Sequence, residues 1–297
     1  MLNKDRSTPE LSIIIVNFNG KTYLQSCLLS LKKNIQKVDF EVIVIDNNST
    51  DGSPEFIRDS FPWVRLIRNK ENLGYSKANN QGIAVAKGKF ILFLNPDTQI
   101  FPGAIGLILE ELKTSPSVGA VGPALVSEKN RYQVSFGKKV NFAYEFFQKY
   151  MFNLYYRHRL KRMQHKHEVG WLSGACILTR RSLLEDTGFF DENFFLYFED
   201  IDLCLRIKKA GKRLIYFPRA KILHVLGATT SQQSLSSRFY YRQSQLYFYR
   251  KHTSDVSVFL LRVYLGINFA FLFLSGYFKS GDDRRIIRNF FRLLRKR

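Results

Sequence analysis

Apolar and polar positions divide the first half of the chain into a repeating pattern. Continuous apolar runs of strand length occupy residues 11–18, 40–46, 64–68, 90–95 and 118–121, separated by turns and helical stretches. Leu24, Cys27, Leu28 and Leu31 fall at i, i+3, i+4, i+7 spacing, and Ile105, Leu109 and Leu112 mark a second helix in the same way. Runs rich in β-branched residues that do not alternate with polar ones are strands buried on both faces. The pattern predicts an α/β fold with a mostly parallel central sheet flanked by helices. Ligands bind such sheets beyond the carboxyl ends of the strands, where Asn17, Asp46 and Asp97 fall.

Residues 130–168 break the pattern, being aromatic and basic with no clear strand, and are expected to form an insertion bordering the active-site mouth. Beyond it the spacing predicts a strand over 171–179, a short helix over 182–187 stopped by Gly188, and an aromatic loop over 189–198. A helix over 201–210 follows, burying Ile201, Cys204 and Leu205, and then a strand over 213–217, with His224 after it. Residues 256–278 are nearly all apolar and long enough for a bilayer span. Fourteen Leu, Ile, Val and Phe there, at about −0.3 to −0.6 kcal/mol each, are opposed by Arg262 at up to roughly +3 kcal/mol, so insertion is marginal. In the tail, Ile286, Ile287, Phe290, Phe291, Leu293 and Leu294 share an arc of about 160° opposite the arginines, the pattern of an in-plane interfacial helix or of a helix packed on the domain.

Charge sharpens this picture. The net charge of +21 over 297 residues is unevenly placed, with ten Lys/Arg against two acids in 129–168 and eight against two in 279–297. Aromatic residues between Tyr144 and Tyr156, mixed with Arg157, Arg159, Lys161 and Arg162, offer a second contact for an anionic membrane surface. A nucleic-acid binder would share the charge but not the acids at strand ends, so no nucleic-acid partner is expected. Three scattered cysteines without disulfide or zinc spacing, and a polar opening stretch, point to a reducing, cytoplasmic setting. No dinucleotide fingerprint or phosphate-binding loop is present.

Three acidic clusters carry candidate chemistry. Asp97 ends an uncharged strand and is placed either to hold a divalent cation with substrate phosphates or to shape an Asn-Pro-Asp-Thr turn. Asp200 stands at a helix start beside Glu199 and two before Asp202, where capping alone favours acids. The apolar wall at 194–198 would also let it act as a general base. Asp202 and Arg206, at i, i+4, are expected to pair. The polar run at 46–52 suits a nucleoside or a capped turn.

The segments 11–19, 44–53, 72–75 with Asn79 and Gly82, 94–98, 171–176, and 188–192 through 199–206 together resemble family 2 of the inverting glycosyltransferases, nearest to its rhamnosyltransferase-like branch. The resemblance covers about 11–227. It implies a GT-A fold, a nucleoside diphosphate sugar donor with dTDP-rhamnose foremost, and Mg or Mn. Asn17, Asp46, Asn47 and Asn95 would line the nucleotide site, and Trp171, Gly174 and Glu199 the substrate. Asp97 matches the metal-binding member of the D-x-D element, Asp200 the catalytic base, and His224 a histidine at the metal or diphosphate. Asn95 and Asn47 replace acids common in the family, though both amides keep a donor and an acceptor. The expected organisation is a catalytic domain over 1–230 and a C-terminal helical, membrane-associating region over 231–297. The expected reaction is single displacement onto a lipid-linked or saccharide acceptor at the cytoplasmic face of the membrane, the protein being peripheral or monotopic. An inactive nucleotide-sugar-binding relative is the alternative that the two asparagines leave open.

Overall fold

The computed structural model describes residues 8–142, 163–225 and 235–274. In chain order it runs β1 (Leu11–Asn17), α1 (Lys21–Asn34), β2 (Phe40–Asp46), α2 (Ser53–Ser60), β3 (Val64–Arg68), α3 (Tyr75–Val85), β4 (Phe90–Leu94), β5 (Thr98–Ile100), α4 (Ala104–Thr114) and β6 (Val118–Val126). There follow β7 (Phe136–Gly137), β8 (His167–Val169), β9 (Trp171–Leu172), β10 (Cys176–Arg180), α5 (Arg181–Thr187), α6 (Glu199–Lys209), β11 (Arg213–His224), α7 (Leu235–His252) and α8 (Asp255–Leu274).

One sheet of nine strands has the order β3-β2-β1-β4-β10-β6-β11-β5, with β8 also pairing β11. The strands β1 to β4, β6 and β11 point one way, while β10, β5 and β8 oppose them. The runs at 11–17 and 40–46 lack alternation because both sides are covered. Ile13, Ile15, Val42 and Val44 belong to the core layer that holds the apolar faces of α1, α2 and α4, whereas Ile14, Ile43 and Ile45 belong to the layer that holds those of α3, α5 and α6. All four apolar positions chosen for α1 are buried, as are the three chosen for α4. The carboxyl ends of β1, β2 and β4 therefore bring Asn17, Asp46 and the 95–97 turn to one edge.

Several expectations need correction, one being the buried face of α6, which is formed by Leu203, Cys204 and Ile207 while Ile201 and Leu205 are only half-buried. The strand expected over 171–179 is broken into β9 and β10, because the backbone at Ser173–Gly174 turns aside to bond Ser135 and Asp200. The last strand does not stop at Phe217; it continues to His224 through a register shift between Phe217 and Lys221 that absorbs Pro218. The 130–168 stretch is not strandless, for it carries β7 and β8. The aromatic and basic residues from Tyr144 to Arg162, and the tail residues Ile286 to Leu294, lie outside the described residues.

A third cluster joins α7 and α8 to the aromatic loop, with Phe194 and Phe198 against Leu246, Phe248 and Tyr249, and with Val258, Leu261 and Leu265 behind. Phe195 stacks on Tyr240 at 4.4 Å between centroids. One buried carboxylate ties this layer to α6. Asp202 is fully buried and receives Arg206 Nε at 2.8 Å, Lys251 Nζ at 2.7 Å and His252 Nε2 at 2.7 Å. Burial alone would raise its pKa, but the hydrogen bonds from His252 and Lys251 and the Arg206 charge pull it down to about 2. Among the described residues, no helix is long and apolar enough to cross a membrane.

Candidate active site

At the carboxyl ends of β1 and β2 the polar groups form one connected set. Asn17 Nδ2 donates to Asp46 Oδ1 at 3.0 Å and to Ser49 Oγ at 3.1 Å, and Ser49 N donates to Asp46 Oδ2 at 2.9 Å. Asn47 donates to the Gly74 carbonyl at 3.0 Å and accepts from Asn69 Nδ2 at 2.9 Å. Asp46 is fully buried and Asn47 nearly so. Asn47 thus holds Gly74, whose φ of +83° and close approach to the Phe195 carbonyl exclude a side chain.

At the next strand end, Asp97 is 4% exposed and its Oδ1 is buried without a hydrogen-bond partner. His224 arrives beside it because β5 and β11 pair Thr98 with His224, and Val225 N donates to the Asp97 carbonyl at 2.9 Å. The His224 Nε2 to Asp97 Oδ1 separation is 3.5 Å. A buried acceptor without a donor, beside an imidazole nitrogen, fits a divalent cation. Among the described residues no third histidine, cysteine or carboxylate completes a cluster, so the remaining positions on such an ion would fall to diphosphate oxygens and water.

Asp200 lies in the first turn of α6, which begins two residues earlier than the periodicity indicates because Phe198, at φ +68°, turns the chain into it. Its Oδ2 accepts from Gly174 N at 2.7 Å and its Oδ1 from Ile201 N at 2.8 Å. A Cβ on Gly174 would sit 3.2 Å from Asp200 Cβ, so a side chain there would press on the carboxylate. Burial raises the Asp200 pKa against the opposing backbone N–H groups. Glu199 is pushed up further, by burial and then by the Asp200 charge, and its Oε2 has no partner. The two carboxyls therefore titrate as a coupled pair, both held above the ordinary carboxylate range by burial.

The two acidic ends are linked. Tyr75 Oη lies 3.1 Å from the Gly174 carbonyl and 3.4 Å from Asn95 Oδ1, and Asn95 N donates to Ala175 O at 3.0 Å. Burial and the Glu199 and Asp200 charges raise the Tyr75 pKa, so the phenol remains a donor. The bridge runs from the Asp97 turn through Asn95, Tyr75 and Gly174 to Asp200. Trp171 is half-buried in β9 and packs over Gly137 of β7. Periodicity singled out neither Tyr75 nor Gln133, which bonds His224; the only sign of Tyr75 was its place after Gly74 in the 72–75 segment.

The fold and this edge define a GT-A type glycosyltransferase. Residues 12–188 match the model of Glycosyl transferase family 2, and the chain belongs to that family. It is 32% identical over 249 residues to an N-acetylglucosaminyl-diphospho-decaprenol L-rhamnosyltransferase of Mycobacterium tuberculosis, covering 77% of this chain and 80% of that protein. Among solved structures it is similar to GalNAc-T7 with UDP, GalNAc and Mn2+ (TM-score 0.62, 15% identity, 83% of this chain), of which it spans 48%. It is similar also to the mannosyltransferase PcManGT of Pyrobaculum calidifontis in complex with GDP-Man and Mn2+ (TM-score 0.58, 17% identity), covering 97% of this chain and 81% of that one.

Proposed function

We propose that this protein transfers rhamnose from dTDP-rhamnose to a hydroxyl of a lipid-linked or polysaccharide acceptor in one inverting displacement. The observation that carries the reading is the bonded bridge joining the Asp97 turn to the buried Asp200. Asp200 takes the acceptor hydroxyl proton on a carboxylate oxygen. The acceptor oxygen bonds to the anomeric carbon as the bond to the diphosphate breaks with its electron pair. Asn17, Asp46 and Asn47 shape the nucleotide end of the crevice. Asp97 and His224 would hold Mg or Mn, which supplies positive charge to the departing diphosphate. The L-rhamnosyltransferase relative, named for a diphospho-decaprenol-linked sugar, supports both the donor and the lipid-linked acceptor. A panel of nucleotide sugars followed by thermal shift, with and without Mn2+, tests the donor. dTDP-rhamnose with Mn2+ is expected to stabilise most, by about 2.7 kcal/mol at a hundredfold excess over Kd. Equal stabilisation by every nucleotide sugar, or by none, overturns the assignment.

The same reading places the protein at the anionic cytoplasmic face of a membrane, through α8. Its inner face packs on the aromatic layer, while Val256, Phe259, Leu260, Val263, Ile267 and Phe271 are exposed. At 100° per residue these six share an arc of about 120°. The chain beyond α8 carries eight Lys/Arg against two acids in 279–297, a charge complementary to anionic headgroups. Sedimentation with phosphatidylglycerol vesicles is expected to retain the wild type and release a Phe259→Glu, Ile267→Glu variant. Recovery of the wild type in the supernatant, or as a dimer that the variant dissociates, overturns the membrane assignment.

A further inference from the structure

Gln133 is the neighbour of His224 on the side away from Asp97. Its Nε2 donates to the His224 main-chain carbonyl at 2.8 Å, and its Oε1 lies 2.9 Å from His224 Nδ1. A carbonyl only accepts, so the end of the amide facing it is the NH2 group and the end facing the ring is the oxygen. An oxygen facing Nδ1 takes a proton from it. In the neutral imidazole Nδ1 is then the protonated nitrogen, and the lone pair sits on Nε2, which faces Asp97 Oδ1 at 3.5 Å.

The backbone makes this arrangement rigid. Gln133 N donates to Leu125 O at 2.8 Å, and the adjacent Tyr132 bridges Val126, so the residue is stitched to the end of β6. That strand is the parallel neighbour of β11, which carries His224. One side chain thus grips both the main chain and the ring of a single histidine. Without a cation, a lone pair and a carboxylate oxygen face each other with no proton between them. That is an arrangement built for a shared positive ion.

We propose that Gln133 is a positioning residue that fixes the His224 tautomer and ring plane, keeping the Nε2 lone pair on the ion that Asp97 would share. The inference rests on the metal role given above to Asp97 and His224. Partners of metal-bound histidines typically change metal affinity by about 10–100-fold when removed. Gln133→Met, which keeps length and loses the acceptor, is expected to weaken Mn2+ binding by that factor, read by electron paramagnetic resonance of free Mn2+. Gln133→Glu, which keeps an acceptor for Nδ1–H, is expected to restore most of the affinity. Nitrogen-15 NMR of the metal-free wild type, with the His224 signals assigned by their loss in His224→Gln, is expected to show the Nδ1–H form. An Nε2–H form overturns the inference whether or not the variants fold. Unchanged Mn2+ affinity in Gln133→Met, beside a loss in Asp97→Asn, overturns it alone, and no Mn2+ binding by the wild type overturns the metal site together with it.

Discussion

Asp200→Asn is expected to lower the transfer rate by about 10²–10⁴-fold, the usual contribution of a positioned general base, while nucleotide-sugar affinity stays near that of the wild type. The amide has one acceptor atom where the carboxylate has two, so either Gly174 N or Ile201 N loses its bond. That costs about 1–3 kcal/mol locally, and circular dichroism will show whether the fold survives it. The pH dependence carries a sign. Asp200 is raised by burial, so the acid limb of kcat against pH should lie above the ordinary carboxylate range, with activity rising as the base deprotonates. Wild-type turnover in Asp200→Asn would remove it from the role.

The second large effect concerns Asp97. Asp97→Asn is expected to abolish the Mn2+-dependent part of the donor stabilisation, whose total is about 2.7 kcal/mol at a hundredfold excess of donor over Kd. In the absence of metal the same substitution is expected to stabilise the protein slightly, by roughly 0.5–1.5 kcal/mol. A buried Oδ1 without a donor is removed, and the new amide N–H meets the His224 Nε2 lone pair. Opposite signs in the two conditions separate a site held for a ligand from one held for the fold. Differential scanning fluorimetry on metal-stripped and Mn2+-loaded protein checks both, and equal destabilisation in the two would refute the metal role.

The parts of the fold that were legible were those in which one physical requirement rules a whole segment. Strand β2 matches its expected bounds because every residue at 42–46 must avoid water, and periodicity records that need directly. The break at Gly174 left no such trace, since Trp171 to Thr179 are apolar enough for one strand and the reason for the turn lies 26 residues away at Asp200. His224 was placed beyond the last strand because Pro218 and the polar Arg219 and Lys221 interrupt the pattern that the pairing with β6 overrides. In the site, strand ends pointed to Asn17, Asp46 and Asp97, and the resemblance assigned roles to Asp200 and His224. Their supporting partners were hidden. Asp202 with Arg206 was visible as a one-turn pair, whereas its bonds to Lys251 and His252 join positions about fifty apart, where no local pattern reaches. Gln133, 91 residues from His224, is hidden for the same reason.

The Asp202 clamp makes the last helices inseparable from the catalytic half. Cutting the chain ahead of Lys251 would strand an ionised oxygen acid in an oily interior two positions from Asp200, with only Arg206 left to answer it. Through Lys251 and His252, α7 is thereby fastened to the same short helix that carries Asp200.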